Sequence, residues 1–375
     1  MNARGLRTLA GASILAAVLG SVHAFSVFLE PLEAQFGAGR GAVSLTYSGT
    51  LICLTIAVLF GHRIYGRGPA AWIVLASAGL AAVGALLSAM AGSLPMVWLG
   101  YSVLFGAANG LGYGFGLQIA AQVNPGREGV AMGVVTAAYA LGSVIAPGLF
   151  AAALTSGGFP AAMLGLAGVL IAAGLVSAGL MRGTRFADGA VTGDSTSGGV
   201  AFMWLGYFGG VMAGLMVIGH AAGIAAVLAP GQAAWIAPVV IAICNLAGSL
   251  IGGRAVDILP PRVVLAGLPV LTCVALLALA GLGAGALLPA LGLAGFAYGG
   301  TIAAWPPVIA KRVGMDQSAR VYGQVFTAWG AAGLAGPWLA GILFENSGGY
   351  GAALMVAAGL GAVAAATAAR IFQPR

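Results

Sequence analysis

Charge is what this chain lacks most. Only 6% of its 375 residues are Asp, Glu, Lys or Arg, against about 25% in a water-soluble globular domain, so composition alone excludes a soluble fold. Cysteine is equally scarce. Cys53, Cys244 and Cys273 all lie inside apolar runs, which leaves no disulfide framework and no metal-ligand spacing; they read as small packing residues. Also missing are a nucleophile beside a base, a carboxylate pair, a phosphate-cradling glycine loop followed by Lys, and a Cys/His cluster. The sequence therefore predicts neither an enzyme nor an ATP-driven motor, and no cofactor or metal.

What fills the chain instead is apolar helix. Hydrophobic residues make up 61% and glycine contributes 64 positions, so helices can approach closely through small faces. A helix needs about 20 apolar residues to cross a hydrocarbon core, and a β-barrel would need short alternating strands; the runs here are long and do not alternate. The expected spans are 8–30, 41–62, 70–91, 94–121, 129–154, 159–181, 200–227, 233–253, 262–283, 286–310, 321–344 and 350–369. The first run opens like a secretory leader, with Arg4, Arg7 and a cleavage-like Val22-His23-Ala24. It continues apolar through Phe28, however, and its removal would leave an odd number of spans. Of the 15 Lys and Arg residues, all but Arg40 fall on one side if the N-terminus is cytoplasmic. The positive-inside rule thus places both termini in the cytoplasm of a cell inner membrane. The net charge of +7 follows from this topology and does not call for a nucleic-acid partner.

The polar interval 183–199 reads as a cytoplasmic linker dividing a bundle at 1–182 from a bundle at 200–375. The halves look like copies. Gly133-Val134-Val135, Ala146-Pro147 and Gly158 correspond to Gly323-Gln324-Val325, Gly336-Pro337 and Gly348 at a separation of 190 residues, and a similar separation relates Gly106 and Gly110 to Gly295 and Gly299. The expected fold class is an all-α polytopic membrane protein of two pseudo-symmetric six-helix bundles, with substrate bound between them near the bilayer midplane.

Two turns carry further information. Gly61-His62-Arg63-Ile64-Tyr65-Gly66-Arg67 and Gly253-Arg254-Ala255-Val256-Asp257, the latter followed by Pro260-Pro261-Arg262, resemble the glycine, acid and basic-residue turn of the major facilitator superfamily. That resemblance implies a conformational latch in which Asp257 caps a helix end or pairs with Arg254 or Arg262; the first copy has Tyr65 where the acid would stand. Phe25 to Leu32, the loop Gln35 to Arg40 and Val43 to Ser48 resemble the start of the monocarboxylate transporter and oxalate/formate antiporter branch. Gly214 to His220, and Phe326-Thr327-Ala328-Trp329-Gly330 with Gly336-Pro337, are similar to the same branch. The resemblance implies proton-coupled symport or anion-exchanging antiport of a small organic anion by alternating access. In that branch a span-1 lysine serves proton and substrate; its place here is His23. An Asp and an Arg of span 8 correspond to Asn245 and Ser249. No Lys or Arg lies between Arg320 and Arg370, so the branch's cationic anchors are absent.

The candidate site follows from polar groups in apolar spans, which cost free energy unless they face protein or a wet cavity. His23 and His220 are the proton-coupling candidates, because imidazole changes charge near neutral pH; the alternative is a neutral ring bonded to a backbone carbonyl. Asn109 and Tyr113 share a helical face, with Gln118 further along. Tyr298, Thr301 and Trp305 stand at near-helical spacing, and Tyr139 and Trp329 hold matching places in the two repeats. With Asn245 and Ser249 these are the expected substrate contacts. Trp305-Pro306-Pro307 is expected to break span 10 into a hinge. The expected partners are a small organic anion, protons and the bilayer, around a monomeric functional unit. An exporter of a neutral or amphipathic solute is the alternative.

Overall fold

The computed structural model describes residues 2–187, 197–230 and 236–371; the expected linker falls mainly outside them. Ten helical stretches are long and apolar enough to cross a membrane, and two of them run for 53 residues. The first of these two is interrupted by non-helical backbone at Gly157 and Gly158. The second is interrupted at Gly283, whose φ of 56° lies in the left-handed region that favours glycine. The ten stretches therefore make twelve spans. They are α1 (Ala3–Phe36), α2 (Arg40–Tyr65), α3 (Ala70–Ala89), α4 (Leu94–Gln122), α5 (128–156) and α6 (159–180). After them come α7 (Ser197–Ile218), α8 (Ile236–Ile258), α9 (Pro261–Leu282), α10 (Leu287–Val313), α11 (Met315–Ser347) and α12 (Gly351–Ile371).

Within the first half α1 packs on α4, α5 and α6, and α2 on α4; within the second α7 packs on α11 and α12, and α8 on α10. The repeat seen in the sequence is a repeat of packing. A side chain at Gly110 of α4 would collide with the Leu54 carbonyl of α2, and one at Gly299 of α10 would collide with the Asn245 carbonyl of α8. Leu54 and Asn245 thus occupy equivalent places, and only glycine lets each helix pair close. The matched Gly158 and Gly348 both have left-handed φ, at 69° and 71°, and end the fifth helix of each bundle.

Between the bundles, α2 packs on α11 and α5 on α8. Backbone meets backbone at Gly129 and Gly133 against Gly253 and Ser249, and at Gly323 against Val58 and Leu59. These approaches all lie in the half of the molecule nearer the chain termini, so the interface is closed at that end.

Three local features depart from the sequence reading. The proline pair does not break α10, which is helical from Leu287 through Pro306 and Pro307 to Val313. Each proline removes one hydrogen bond, but Trp305, Pro306, Pro307 and Val308 are all buried, and packing against neighbouring helices holds the segment. Conversely, α1 is irregular where a continuous helix was expected: residues Gly20–Phe28 form a 3₁₀ segment. In α4, residues Trp98–Phe105 form a π segment.

Candidate functional site

The 3₁₀ segment of α1 positions the site. Nine residues is long for this conformation, which rarely exceeds three or four, so tertiary contacts must hold it. Two do. Gly20 lies so close beneath the Tyr139 carbonyl that any side chain there would collide. The amide of Asn109, fully buried, donates from Nδ2 to the carbonyl of Leu19 at 2.7 Å, at the junction of the two helix types. The hydroxyl of Tyr139 in turn donates to Asn109 Oδ1 at 3.0 Å. Both ends of the Asn109 amide are thereby occupied, and α1, α4 and α5 are tied at one point.

The tightened turn sends the His23 ring across to α2, α5 and α11. His23 Nδ1 is 2.8 Å from the Tyr47 hydroxyl, and its ring meets the edges of Tyr139 at 5.6 Å and Trp329 at 6.2 Å. Trp329 belongs to the other bundle. His23, Tyr139 and Trp329 line a cavity of about 60 Å³ together with Tyr113, Thr136 and Ser143 from the first half and Asn245, Ser249, Tyr298 and Phe326 from the second. At about 30 Å³ per water, that is room for about two waters or one solute of that size. A second hollow of about 220 Å³, lined by His23, Phe25, Ser26, Leu29, Ser44, Tyr47 and Ser48, lies towards the α1–α2 turn, away from the chain termini. The His23–Tyr47 pair therefore stands between the cavity and that hollow.

Most polar groups of the cavity are already spent. Thr136 donates to the Met132 carbonyl at 3.0 Å, Ser143 to that of Ala140 at 2.6 Å, and Ser249 to that of Gly299 at 3.3 Å. Trp329 Nε1 donates to the Tyr298 hydroxyl at 3.0 Å, which leaves the Tyr298 proton free. His23 Nε2 and the Asn245 amide have no partner among the described residues. Three unspent groups therefore converge from α1, α8 and α10, and no Asp, Glu, Lys or Arg is among the lining residues.

A family model, Major Facilitator Superfamily, matches residues 9–198, just over half of the chain. This chain belongs to the Major Facilitator Superfamily. The chain is 28% identical over 338 residues to YhjX of Escherichia coli K12, described as an uncharacterized MFS-type transporter, with 86% of this chain and 84% of that protein covered. Its fold is similar to that of FucP, a superfamily transporter solved in the outward conformation, at a TM-score of 0.77 and 15% identity over 98% of this chain and 99% of that one. The human organic anion transporter TETRAN is similar at a TM-score of 0.75 and 16% identity, over 97% and 99% of the two chains. The protein is thus a multi-pass membrane transporter of this superfamily.

Within the superfamily fold, several candidate residues stand away from the cavity. Asn109 does not line it, because its amide is consumed in holding the α1 junction. His220 lies beyond the end of α7, half-buried in the second bundle. Its Nε2 is 2.9 Å from the Pro337 carbonyl and its Nδ1 is 3.2 Å from the Tyr350 hydroxyl. A carbonyl only accepts, so Nε2 carries the hydrogen and Nδ1 accepts from the phenol. Both ring nitrogens are thereby partnered, and of the two imidazoles only His23 lines the cavity. Pro337 follows Trp329 by eight residues in α11, about 12 Å of helix, which measures how far His220 is from the site. Thr301 turns back onto the Ala297 carbonyl at 2.8 Å, and Trp305 packs on Tyr207 at 5.6 Å; neither lines the cavity. Spacing with Tyr298 grouped them, but α10 is buried on most of its circumference, so a shared face does not mean a shared cavity. Gln118 is fully buried and does not line it either.

Tyr47, Thr136, Ser143 and Phe326 are site residues that the sequence reading did not select. Thr136 precedes Tyr139 by one helical turn, and that spacing was the available signal. Nothing in the sequence marks Tyr47 beyond its place in the α2 motif.

At the closed end, Asp257 joins the bundles. Its carboxylate, only 4% exposed, accepts from the backbone N–H groups of Gly129 at 3.0 Å and Val130 at 2.9 Å. These are orphan donors of the first turn of α5. Its ion pair is with Lys311 Nζ at 3.5 Å, and not with Arg254 or Arg262, which are exposed. The equivalent Tyr65 stays in its own bundle, buried against Phe115 at 5.4 Å and Phe186 at 5.7 Å.

Proposed function

We propose that this transporter carries a small organic anion by alternating access, coupled to a proton or to a counter-anion, with bundles at 1–182 and 200–375 and both termini in the cytoplasm of the inner membrane. The observation that supports this best is the convergence of His23 Nε2, the Asn245 amide and the Tyr298 hydroxyl on one small cavity. A carboxylate accepts several hydrogen bonds and needs donors more than it needs a fixed cation. Two of these donors come from the second bundle and one from the first, so a bound anion bridges the parts that must move. The substrate contacts in this reading are His23, Tyr113, Tyr139, Asn245, Ser249, Tyr298 and Trp329.

His23 supplies the coupling. Protonated, it adds one positive charge to a cavity lined by no other charged residue and holds the anion; on losing the proton it becomes neutral and the anion's affinity falls. Because the ring borders the outer hollow, protons from that side reach it directly. Asp257 is the latch: its capping of α5 from α8 favours the state closed at the terminal end. Transport of a neutral solute is the second reading, favoured by the same absence of a fixed cation among the lining residues.

The test is uptake of labelled small mono- and dicarboxylates into proteoliposomes with an imposed pH gradient. Uptake that rises as the outer solution is acidified supports an anion carried with a proton, and exchange against a preloaded acid supports antiport. Failure of every acid to enter or compete, with a neutral solute entering, would move the assignment to the second reading.

A further inference from the structure

A cleft of about 350 Å³ opens at the membrane edge of the terminal face, between the start of α3 and the end of α6. Its walls are apolar, with Trp72, Leu75, Leu175 and Ala178, and its mouth is closed by Gly179 and Arg182. Trp72 is 70% exposed and Leu175 61% exposed, so neither is covered by protein. Trp72 is in the first turn of α3, the end of a span, where an indole suits both phases. Leu175 lies seven residues before Arg182 in chain order, about 10 Å deeper along the helix.

Arg182 lines the cleft, and the backbone brings three further arginines close to it. Pro69 bridges to Arg185 and Ala70 N–H donates to the Thr184 carbonyl at 2.9 Å. Arg67 is two residues from that bridge, and Arg4 Nη2 donates to the Gly183 carbonyl at 2.6 Å. Arg4, Arg67, Arg182 and Arg185 are all exposed, and no carboxylate partner is found for them among the described residues. Basic topology charge alone does not explain an apolar cleft with Arg182 in its wall. By contrast, Lys311 on the same face is paired with Asp257.

We propose that this cleft is a binding site for an anionic glycerophospholipid. The headgroup phosphate is held by Arg182 and Arg185, and an acyl chain runs along Leu75 and Leu175 beneath Trp72. Each basic residue near a membrane surface contributes about 1 kcal/mol towards an acidic lipid, or roughly fivefold in affinity. The site does not depend on what the protein carries.

The experiment uses tryptophan quenching by brominated lipids in liposomes of phosphatidylcholine and phosphatidylglycerol. The Trp72 contribution is isolated by subtracting the Trp72→Phe variant. Brominated phosphatidylglycerol is expected to quench Trp72 more than brominated phosphatidylcholine at equal mole fraction. The preference should fall by about fivefold in Arg182→Gln, and further in Arg182→Gln/Arg185→Gln, while Arg254→Gln/Arg262→Gln leaves it unchanged. Equal quenching by the two lipids in the unmutated protein would overturn the proposal. So would a preference that survives the double variant, or one that millimolar inorganic phosphate removes, which would mark a plain anion site.

Discussion

Removing the Asp257 carboxylate should open the terminal end of the transporter. The carboxylate is nearly buried and holds two backbone N–H groups of α5 from across the interface, at 3.0 and 2.9 Å. Hydrogen bonds to a charged group are worth about 1.5–3 kcal/mol each, but in the open state water takes over part of that role. The Lys311 pair at 3.5 Å adds little, because the lysine is 36% exposed and exposed pairs contribute about 0–1 kcal/mol. A net bias of about 3 kcal/mol towards the closed end remains, roughly 150-fold in the ratio of the two states. Asp257→Asn keeps one acceptor and loses the charge, so it should fall between the wild type and Asp257→Ala. Spin labels at Arg67→Cys and Arg262→Cys, on a background with Cys53, Cys244 and Cys273 replaced, report the separation of the bundles at that face by pulsed electron resonance. In Asp257→Ala a longer-distance population should appear and dominate. If its distance distribution overlays that of the parent while the protein remains folded, the carboxylate does not hold the interface and the latch is wrong.

Three further outcomes follow from the geometry. Asn109→Leu leaves the Leu19 carbonyl and the Tyr139 hydroxyl without their partner; at about 1–3 kcal/mol per buried unpaired group, the thermal midpoint should drop, and substrate affinity should fall through misplacement of His23. Gly20→Val should be more damaging than any substitution in the cavity wall, since its side chain meets the Tyr139 carbonyl and cannot move aside; loss of folded protein on size exclusion reads this out. His220→Phe should lower stability by losing the bonds to Pro337 and Tyr350 but leave the pH dependence of uptake unaltered, and a changed pH profile would return His220 to the coupling machinery.

The spans and the duplication could be read from the chain because they are properties of long averages. Apolar runs set the number of crossings, and the matched glycines mark the same helix contacts in both halves, as Gly110 on Leu54 and Gly299 on Asn245 show. The direction of a single side chain is a local matter. His23 and His220 look alike in sequence, two imidazoles in apolar spans. One is carried into the cavity by a 3₁₀ turn that Gly20 and Asn109 enforce, and the other is absorbed by a carbonyl in its own bundle. Asn109, Thr301 and Trp305 were placed by helical spacing, but in a helix packed on most sides spacing cannot say which neighbour a face meets. The proline pair misled because neighbouring helices hold a segment that would kink in isolation.

The account stands on His23 being the titrating group of a cavity lined by otherwise uncharged residues. The direct measurement is initial uptake of a labelled small acid into proteoliposomes across a range of external pH, for the parent protein and for His23→Gln, with folding checked by thermal midpoint. The parent should transport faster as the external solution is acidified, and His23→Gln should show a low rate that does not respond to pH. A variant that keeps the parent's pH response would contradict the account, because no other imidazole or charged side chain is among the lining residues of the cavity.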